Sequence, residues 1–189
     1  TLEGLLGRLA ALPGIRAKFR EEKRMALLAA PLVNEGVLYF HPPGRLARHT
    51  TAPMRASVVI EGGRLTFGDE RGVEVIRVDG NPAMALFVDS FVKIFAGDRD
   101  ALVAMYQMAI EAWPEGGAEG WRLTLRPKVA PIDRVLARIE IEGAGVIVRR
   151  MRVVEVGGDE AVTTFSEVDV ARGFSAAEQA ELFRVEARR

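Results

Sequence analysis

The alternation of apolar and polar residues over most of the chain is the feature that most constrains its fold. Residues 121–126 alternate strictly and residues 106–111 do so except at Ala109, and the same period of two recurs through residues 15–67 and 138–170. Because successive side chains of a strand point to opposite faces, each segment predicts a strand with one apolar face. Many such strands, joined by short turns, predict an antiparallel sheet.

Glycine-rich turns divide these segments. Gly62-Gly63 joins two short strands into a predicted hairpin over residues 56–67, and residues 157–159 join two long strands near the end of the chain. We expect a strand that begins near Phe19 and continues less regularly through residues 25–32. Glu35-Gly36 then predicts a turn of the chain.

Three regions change to helical spacing. Leucines recur at this spacing in residues 2–12, and Asn81 with Pro82 begins a helix that we expect to reach Ala96, with a shorter one after it. A capping box of Ser175 and Glu178 begins the last helix. The order helix, strands, helices, strands, helix predicts an α+β fold. We expect a single domain over residues 1–189, because no linker or repeat interrupts the chain.

Composition excludes several classes of function. Lys plus Arg and Asp plus Glu both number 26, so the basic excess of a nucleic-acid binder is missing. There is no Cys, and no apolar run approaches the roughly 20 residues that span a bilayer. With His41 and His49 as the only histidines and no catalytic or metal-binding motif, we expect no enzyme, no cofactor and no metal site.

Large, flexible apolar side chains are concentrated near the middle of the chain. Met84, Phe87, Phe91 and Phe95 recur at helical spacing within the predicted helix of residues 81–96. Such side chains either fill a core or line a cavity for flexible apolar ligands, because Met and Phe repack easily. The residues themselves leave both interpretations open.

Several segments in order resemble one family. Residues 36–53 contain a G-V-L-Y-F strand, a proline-containing turn and a second strand that ends before Pro53, and residues 121–128 spell W-R-L-T-L-R-P-K. Residues 81–98 add a helical segment that ends in Gly-Asp. Together they resemble the LolA superfamily of periplasmic lipoprotein carriers over nearly the whole chain.

The resemblance implies an unclosed, strongly bent antiparallel β-barrel whose helices form a lid over a concave apolar face. It further implies a periplasmic carrier that binds the acyl chains of lipoproteins or related lipids and transfers them towards the outer membrane. Its partners would be that cargo, an inner-membrane exporter and an outer-membrane acceptor. The expected cavity and lid residues are Leu38, Phe40, Leu46, Met54, Val58, Ile60, Met84, Phe87, Phe91, Phe95, Tyr106, Met108, Trp121 and Leu123.

A periplasmic protein would have lost a signal peptide upstream of Thr1, although a shortened chain would begin in the same way. The family usually has Arg immediately before the proline that is Pro43 here, whereas this chain has Pro42. In the family that arginine helps the lid to close and cargo to be handed over. The difference predicts a divergent branch. The alternative function is a half-barrel regulatory module that senses a lipid or lipidated ligand.

Overall fold

Antiparallel pairing joins the alternating segments into one sheet in the computed structural model, which describes residues 1–76 and 82–185. The strands are β1 (Ile15–Arg24), β2 (Leu32–His41), β3 (Arg45–Ala52), β4 (Ala56–Glu61), β5 (Arg64–Asp69), β6 (Gly72–Ile76), β7 (Tyr106–Ala112), β8 (Gly120–Pro127), β9 (Leu136–Ala144), β10 (Ile147–Glu155) and β11 (Glu160–Asp169). They are ordered β6-β5-β4-β3-β2-β1-β11-β10-β9-β8-β7. β6 and β7 lie at the edges, so the sheet is not closed. This confirms the predicted α+β fold with an unclosed antiparallel sheet.

The sheet bends around a cavity. Side chains from seven neighbouring strands, β5 through β1 and on to β10, line the same space. At a spacing of about 4.8 Å, seven strands laid flat would spread over about 29 Å, too far to surround one small cavity. The sheet therefore has a concave face towards the cavity and a convex face on the other side.

Three helices cover the concave face. They are α1 (Leu2–Ala10), α2 (Pro82–Ala96) and α3 (Arg99–Met105). Buried side chains of all three, including Leu6, Ile94 and Leu102, join one hydrophobic core with inward-facing strand residues such as Phe40. The predicted lid helix is therefore confirmed over Pro82–Ala96, whereas Asn81 lies outside the described residues.

The last helix packs on the opposite side of the sheet. α4 (Ala176–Leu182) begins with the predicted capping box, in which Ser175 and Glu178 bond each other's backbone N–H groups. Phe174 and Phe183 at its two ends pack with Ala47 and Val59 in a second, smaller apolar cluster. This cluster covers part of the convex face of β3 and β4.

The first predicted strand ends earlier than its sequence suggested. β1 stops at Arg24, and residues 25–31 form a loop rather than an extension of the strand. The partner strand β11 begins at Glu160, opposite Arg24, so no ladder is left beyond that point. The Asp159 carboxylate accepts a hydrogen bond from the backbone N–H of Ala26 at 2.9 Å, which holds the loop against the neighbouring turn.

The predicted turn at Glu35-Gly36 is wrong, because both residues lie within β2. A side chain at Gly36 would place its Cβ 2.0 Å from the carbonyl oxygen of His49 and 2.9 Å from the ring of Phe19. The glycine therefore allows the strands to approach each other closely, which is a common reason for a glycine inside a strand.

Candidate functional site: an apolar cavity between helix α2 and the sheet

The cavity lies between α2 and the concave face of the sheet and has a volume of about 340 Å³. Its strand residues follow the period-two pattern, so that Phe19, Glu21 and Lys23 of β1 all point inward. α2 contributes residues one helical turn apart, including Phe87 and Phe91. The site is thus formed by one face of the sheet and one face of the helix.

The end of the cavity near α2 is apolar. Phe87 and Phe91 contact each other edge to face, with ring centroids 5.0 Å apart. Phe95 packs between Phe40 and Phe165, at centroid distances of 6.0 and 6.4 Å. The remaining apolar lining is Phe19, Leu38, Leu46, Val58, Ile60, Leu65, Val88, Met151, Val153 and Ala161.

The opposite end of the cavity is polar, and its charged groups are paired with one another. The Arg48 guanidinium bonds the Glu21 carboxylate at 2.9 Å, and Thr163 donates to the second oxygen of that carboxylate at 3.2 Å. The Lys23 ammonium lies 3.5 Å from the Glu155 carboxylate. The cavity is therefore amphipathic along the strands, with an apolar inner end and a polar outer end of balanced charge.

Arg48 also connects the two ends of the cavity. Its guanidinium carbon lies 4.3 Å from the centroid of the Phe19 ring, which is a cation–π geometry. The missing side chain at Gly36 leaves room for that ring. The position of the Arg48 charge thus depends on a glycine in the neighbouring strand.

Helix α2 is attached to the core by a buried polar pair that the sequence analysis missed. Ser90 is fully buried, and its hydroxyl donates to the Leu86 carbonyl and shares a hydrogen bond with the Tyr106 hydroxyl. Burial raises the pKa of Tyr106, although the Ser90 hydrogen bond acts in the opposite direction. A single serine inside an otherwise apolar helical stripe was the available signal. The pair fixes α2 against the start of β7.

The structure brings half of the predicted site residues together. Leu38, Leu46, Val58, Ile60, Phe87, Phe91 and Phe95 all line the cavity. Phe40 lies directly behind this lining, where it supports the Phe95 ring.

The other predicted site residues lie elsewhere, or their side chains are not described. Tyr106, Met108, Trp121 and Leu123 belong to β7 and β8, at the far edge of the sheet, where they contribute to the core. The Trp121 indole donates to the Gly145 carbonyl at 2.9 Å. Met54 is 73% exposed in the turn between β3 and β4. The Met84 side chain lies outside the described part of the chain.

Several lining residues were not among those predicted, notably Phe19, Met151, Val153 and Phe165. Their only signal in the sequence was the alternation of β1, β10 and β11. Because β1 and β11 pair in the middle of the sheet, residues from the two ends of the chain meet in one wall. This contact between distant parts of the chain cannot be predicted from the spacing of residues in the sequence.

The Pro42-Pro43 turn lies between β2 and β3, beside the ends of two helices. Pro42 and Pro43 line a smaller pocket of about 300 Å³ together with Leu9 of α1 and with Gly97 and Asp98, which follow α2. The residue that differs from the family pattern therefore lies next to the end of the lid helix.

Within residues 1–76 and 82–185, no group of three or more acidic, histidine or cysteine side chains could hold a metal ion. Over the same residues, no helix combines the length and the apolar character needed to cross a bilayer.

The sequence matches the family described as "Outer membrane lipoprotein carrier protein LolA-like" over residues 2–185. The chain belongs to the LolA-like family. This membership agrees with the unclosed antiparallel sheet and its covering helices. A comparison with curated protein sequences finds no significant match.

Solved structures resemble this LolA-like chain at low sequence identity. A DUF1329 family protein from Desulfovibrio piger has a TM-score of 0.54 and 12% identity, with 96% of each chain covered. MucB has a TM-score of 0.54 and 14% identity, over 96% of this chain and 62% of MucB. MucB in complex with MucA(peri) has a TM-score of 0.51 and 11% identity, over 93% of this chain and 57% of that one. The chain thus spans about three fifths of MucB, and the likeness shows the fold alone.

Proposed function

We propose that this LolA-like protein is a periplasmic carrier that binds acyl chains of lipoproteins or related lipids and transfers them towards the outer membrane. It acts as a single domain and performs no chemical reaction on its cargo. The observation that supports the proposal is the apolar cavity under α2 in a chain of the LolA-like family.

The lining suits a hydrocarbon chain with a polar end. Each methylene buried in the apolar end contributes about 0.8 kcal/mol, so a long acyl chain binds tightly without specific polar contacts. A headgroup then lies at the polar end, near Arg48 and Lys23. Because the charges there are already paired, they favour no strongly charged headgroup, which suits a carrier of varied cargo.

The size of the cavity indicates a nearly closed conformation. Its volume of about 340 Å³ lies at the low end of the roughly 300–1,000 Å³ typical of ligand pockets. Cargo with more than one acyl chain therefore requires α2 to move away from the sheet. The closed and open states must differ by only a few kcal/mol for cargo to be both held and released.

The first experiment identifies the cargo. The protein is purified from the envelope of its own cells without added detergent, and bound molecules are identified by native mass spectrometry and lipid extraction. We expect acylated molecules at up to one per protein. Recovery of a polar metabolite, with no lipid, would contradict the proposal.

The second experiment measures binding in the cavity directly. A fluorescent fatty acid is bound to the protein and displaced by unlabelled fatty acids of increasing chain length. The affinity should rise with each added methylene until the apolar end is filled, as hydrophobic burial requires. No displacement at any concentration would refute acyl-chain binding.

Handover in cells is expected to differ from that of a standard carrier. The turn beside α2 has Pro42 where carriers usually have arginine, so the lid end lacks that cation. We expect this chain to bind lipid in vitro and yet to fail to replace a standard LolA-type carrier in cells. Full complementation would show that the arginine is dispensable.

The alternative function is a regulatory module that senses a lipid or lipidated ligand. MucB, part of which resembles this chain in fold, has been crystallised in complex with MucA(peri), and this complex motivates the alternative. A sensor would keep its ligand while a partner protein binds or leaves. Transfer of labelled lipid from this protein to acceptor vesicles or to an acceptor protein distinguishes the carrier from the sensor.

A further inference from the structure

One end of the sheet exposes apolar side chains on several separate loops. The β1–β2 loop is the clearest case, because residues 25–32 are apolar without exception and carry no charge. Leu27 in this loop is 94% exposed, and Leu28 and Leu32 are also exposed. Isolated exposed apolar residues are ordinary, but an uncharged apolar run of eight residues, all exposed except the half-buried Met25, is not.

Two further turns extend this surface. Antiparallel pairing places the end of β3 beside the start of β2, so the β3–β4 turn with the exposed Met54 lies at the same end of the sheet. The β10–β11 turn also lies there, because Asp159 bonds Ala26 of the β1–β2 loop. That turn is preceded by Val156, which is 57% exposed. Leu27, Leu28, Leu32, Met54 and Val156 are named the apolar rim.

The apolar rim lies beside the polar end of the cavity. Lys23 and Glu155 line the cavity and lie next to the β1–β2 loop and the β10–β11 turn. Cargo that leaves through this end would pass between the loops of the rim. The rim is therefore placed where a carrier would contact the source or destination of an acyl chain.

We propose that the apolar rim docks the protein on the surface of a lipid bilayer, with Leu27 and Leu28 inserted among the headgroups. A protein partner requires a shaped and continuous surface, whereas the rim consists of side chains that protrude from three separate loops. A bilayer interface imposes no such shape and accepts protruding leucines.

The charges beside the rim agree with this partner. Arg24 and Arg55 flank the apolar residues and are exposed, and residues 24–32 and 53–55 contain no acidic side chain. Among the described residues, neither arginine forms a salt bridge, although the charge of Arg24 acts on the Glu22 and Glu160 carboxylates. The nearby carboxylates have closer partners, Glu155 with Lys23, Glu160 with Arg152, and Asp159 with the Ala26 N–H. Both guanidinium groups are therefore exposed to lipid phosphates and should attract an anionic surface.

A fluorescent label tests the insertion directly, because the chain has no Cys. Leu27→Cys and Ala118→Cys are each labelled with an environment-sensitive fluorophore. Ala118 is an exposed control in the segment Pro114–Glu119, at the opposite end of the sheet. Vesicles of phosphatidylethanolamine and phosphatidylglycerol should shift the emission of the Leu27 label to the blue and leave the Ala118 label unchanged. No shift at Leu27, or equal shifts at both positions, would overturn the proposal.

Flotation with the same vesicles measures the strength of docking. The double variant Leu27→Asp/Leu28→Asp should reduce the bound fraction at least about tenfold, since it replaces two inserted leucines with charges. Arg24→Gln should weaken binding to these vesicles but not to vesicles of phosphatidylcholine alone. If the rim instead joins two copies of the chain, sedimentation will show a dimer that the double variant abolishes, and bilayer docking would be refuted.

The same double variant separates this proposal from the proposed function. Leu27 and Leu28 do not line the cavity, so displacement of the fluorescent fatty acid should be unchanged. If the double variant no longer docks on vesicles but still shows normal displacement of the fluorescent fatty acid, the result supports docking through the apolar rim independently of the carrier function. If the protein docks on vesicles but binds no fatty acid, the docking proposal is supported and the proposed carrier function is refuted.

Discussion

Replacing Phe91 with Asp tests whether α2 covers a hydrocarbon site. Phe91 lines the cavity and makes an edge-to-face contact with Phe87 at 5.0 Å. The substitution removes that pair, worth about 0.5–1.5 kcal/mol, and the burial of a half-buried ring, worth about 1 kcal/mol. The free energy of unfolding should therefore fall by about 2 kcal/mol. A typical domain remains folded after such a loss.

The effect on binding should be larger than the effect on folding. The introduced carboxylate faces apolar side chains, so it either draws water into the cavity or has its pKa raised by desolvation. If hydration displaces three methylenes of the ligand, the loss is about 2.4 kcal/mol, or about fifty-fold in affinity. Because part of the penalty is removal of a charge from water, binding should recover partly as the pH is lowered.

Fatty-acid displacement and thermal melting measure the two effects of Phe91→Asp on one sample. Phe91→Leu is the matched control, since it keeps an apolar side chain at the same position and should change affinity by less than about fivefold. Val103→Asp places the same charge on an exposed position of α3 and should change neither quantity. If Phe91→Asp keeps full stability and full uptake, α2 does not cover the ligand site and the reasoning fails.

Three further predictions concern stability. Gly36→Ala should lower the free energy of unfolding by about 3 kcal/mol or more, because its Cβ would lie 2.0 Å from a backbone oxygen of β3. Gly157→Ala is the control and should be nearly neutral, because its Cβ would meet no atom within 4 Å. Chemical denaturation compares them, and equal stability would contradict the close-approach argument. The hydrogen bond from Arg152 holds the pKa of Glu160 below its usual value, so this stabilisation is full above about pH 4.5 and is lost as the pH falls through the lowered pKa. When the pH is lowered from about 7 to about 3, the melting temperature of Arg152→Met should therefore fall by less than that of the unaltered protein. Ser175→Ala removes the cap of α4 and should cost about 1 kcal/mol in the same melting assay, and an unchanged midpoint would mean that the cap contributes nothing.

Much of the fold could be predicted because it depends on local patterns. The hairpin over residues 56–67, the pairing of β7 with β8 and the helical spacing that ends at Ala96 were all predicted and are present. Each rests on a period or a turn within one short segment, where the chemistry of neighbouring residues decides the conformation. The capping box of α4 is local in the same sense.

Long-range pairing decided what the sequence left open or suggested wrongly. Gly36 looks like a turn residue in sequence, yet the approach of His49 from the next strand makes it part of β2. The loop at residues 25–31 ends β1 because β11 supplies no partner beyond Glu160. Neither contact can be seen within a window of neighbouring residues.

The sequence by itself determined that most strands have one apolar face, but only the tertiary structure decided what each face contacts. Trp121 and Leu38 look alike as apolar residues in alternating strands, yet Trp121 packs near the edge of the sheet and Leu38 lines the cavity. The difference arises because the cavity forms where α2 crosses the middle of the bent sheet, around the pairing of β1 with β11. That location depends on the curvature of the sheet and on the pairing of strands from the two ends of the chain. The local alternation of apolar and polar residues specifies neither.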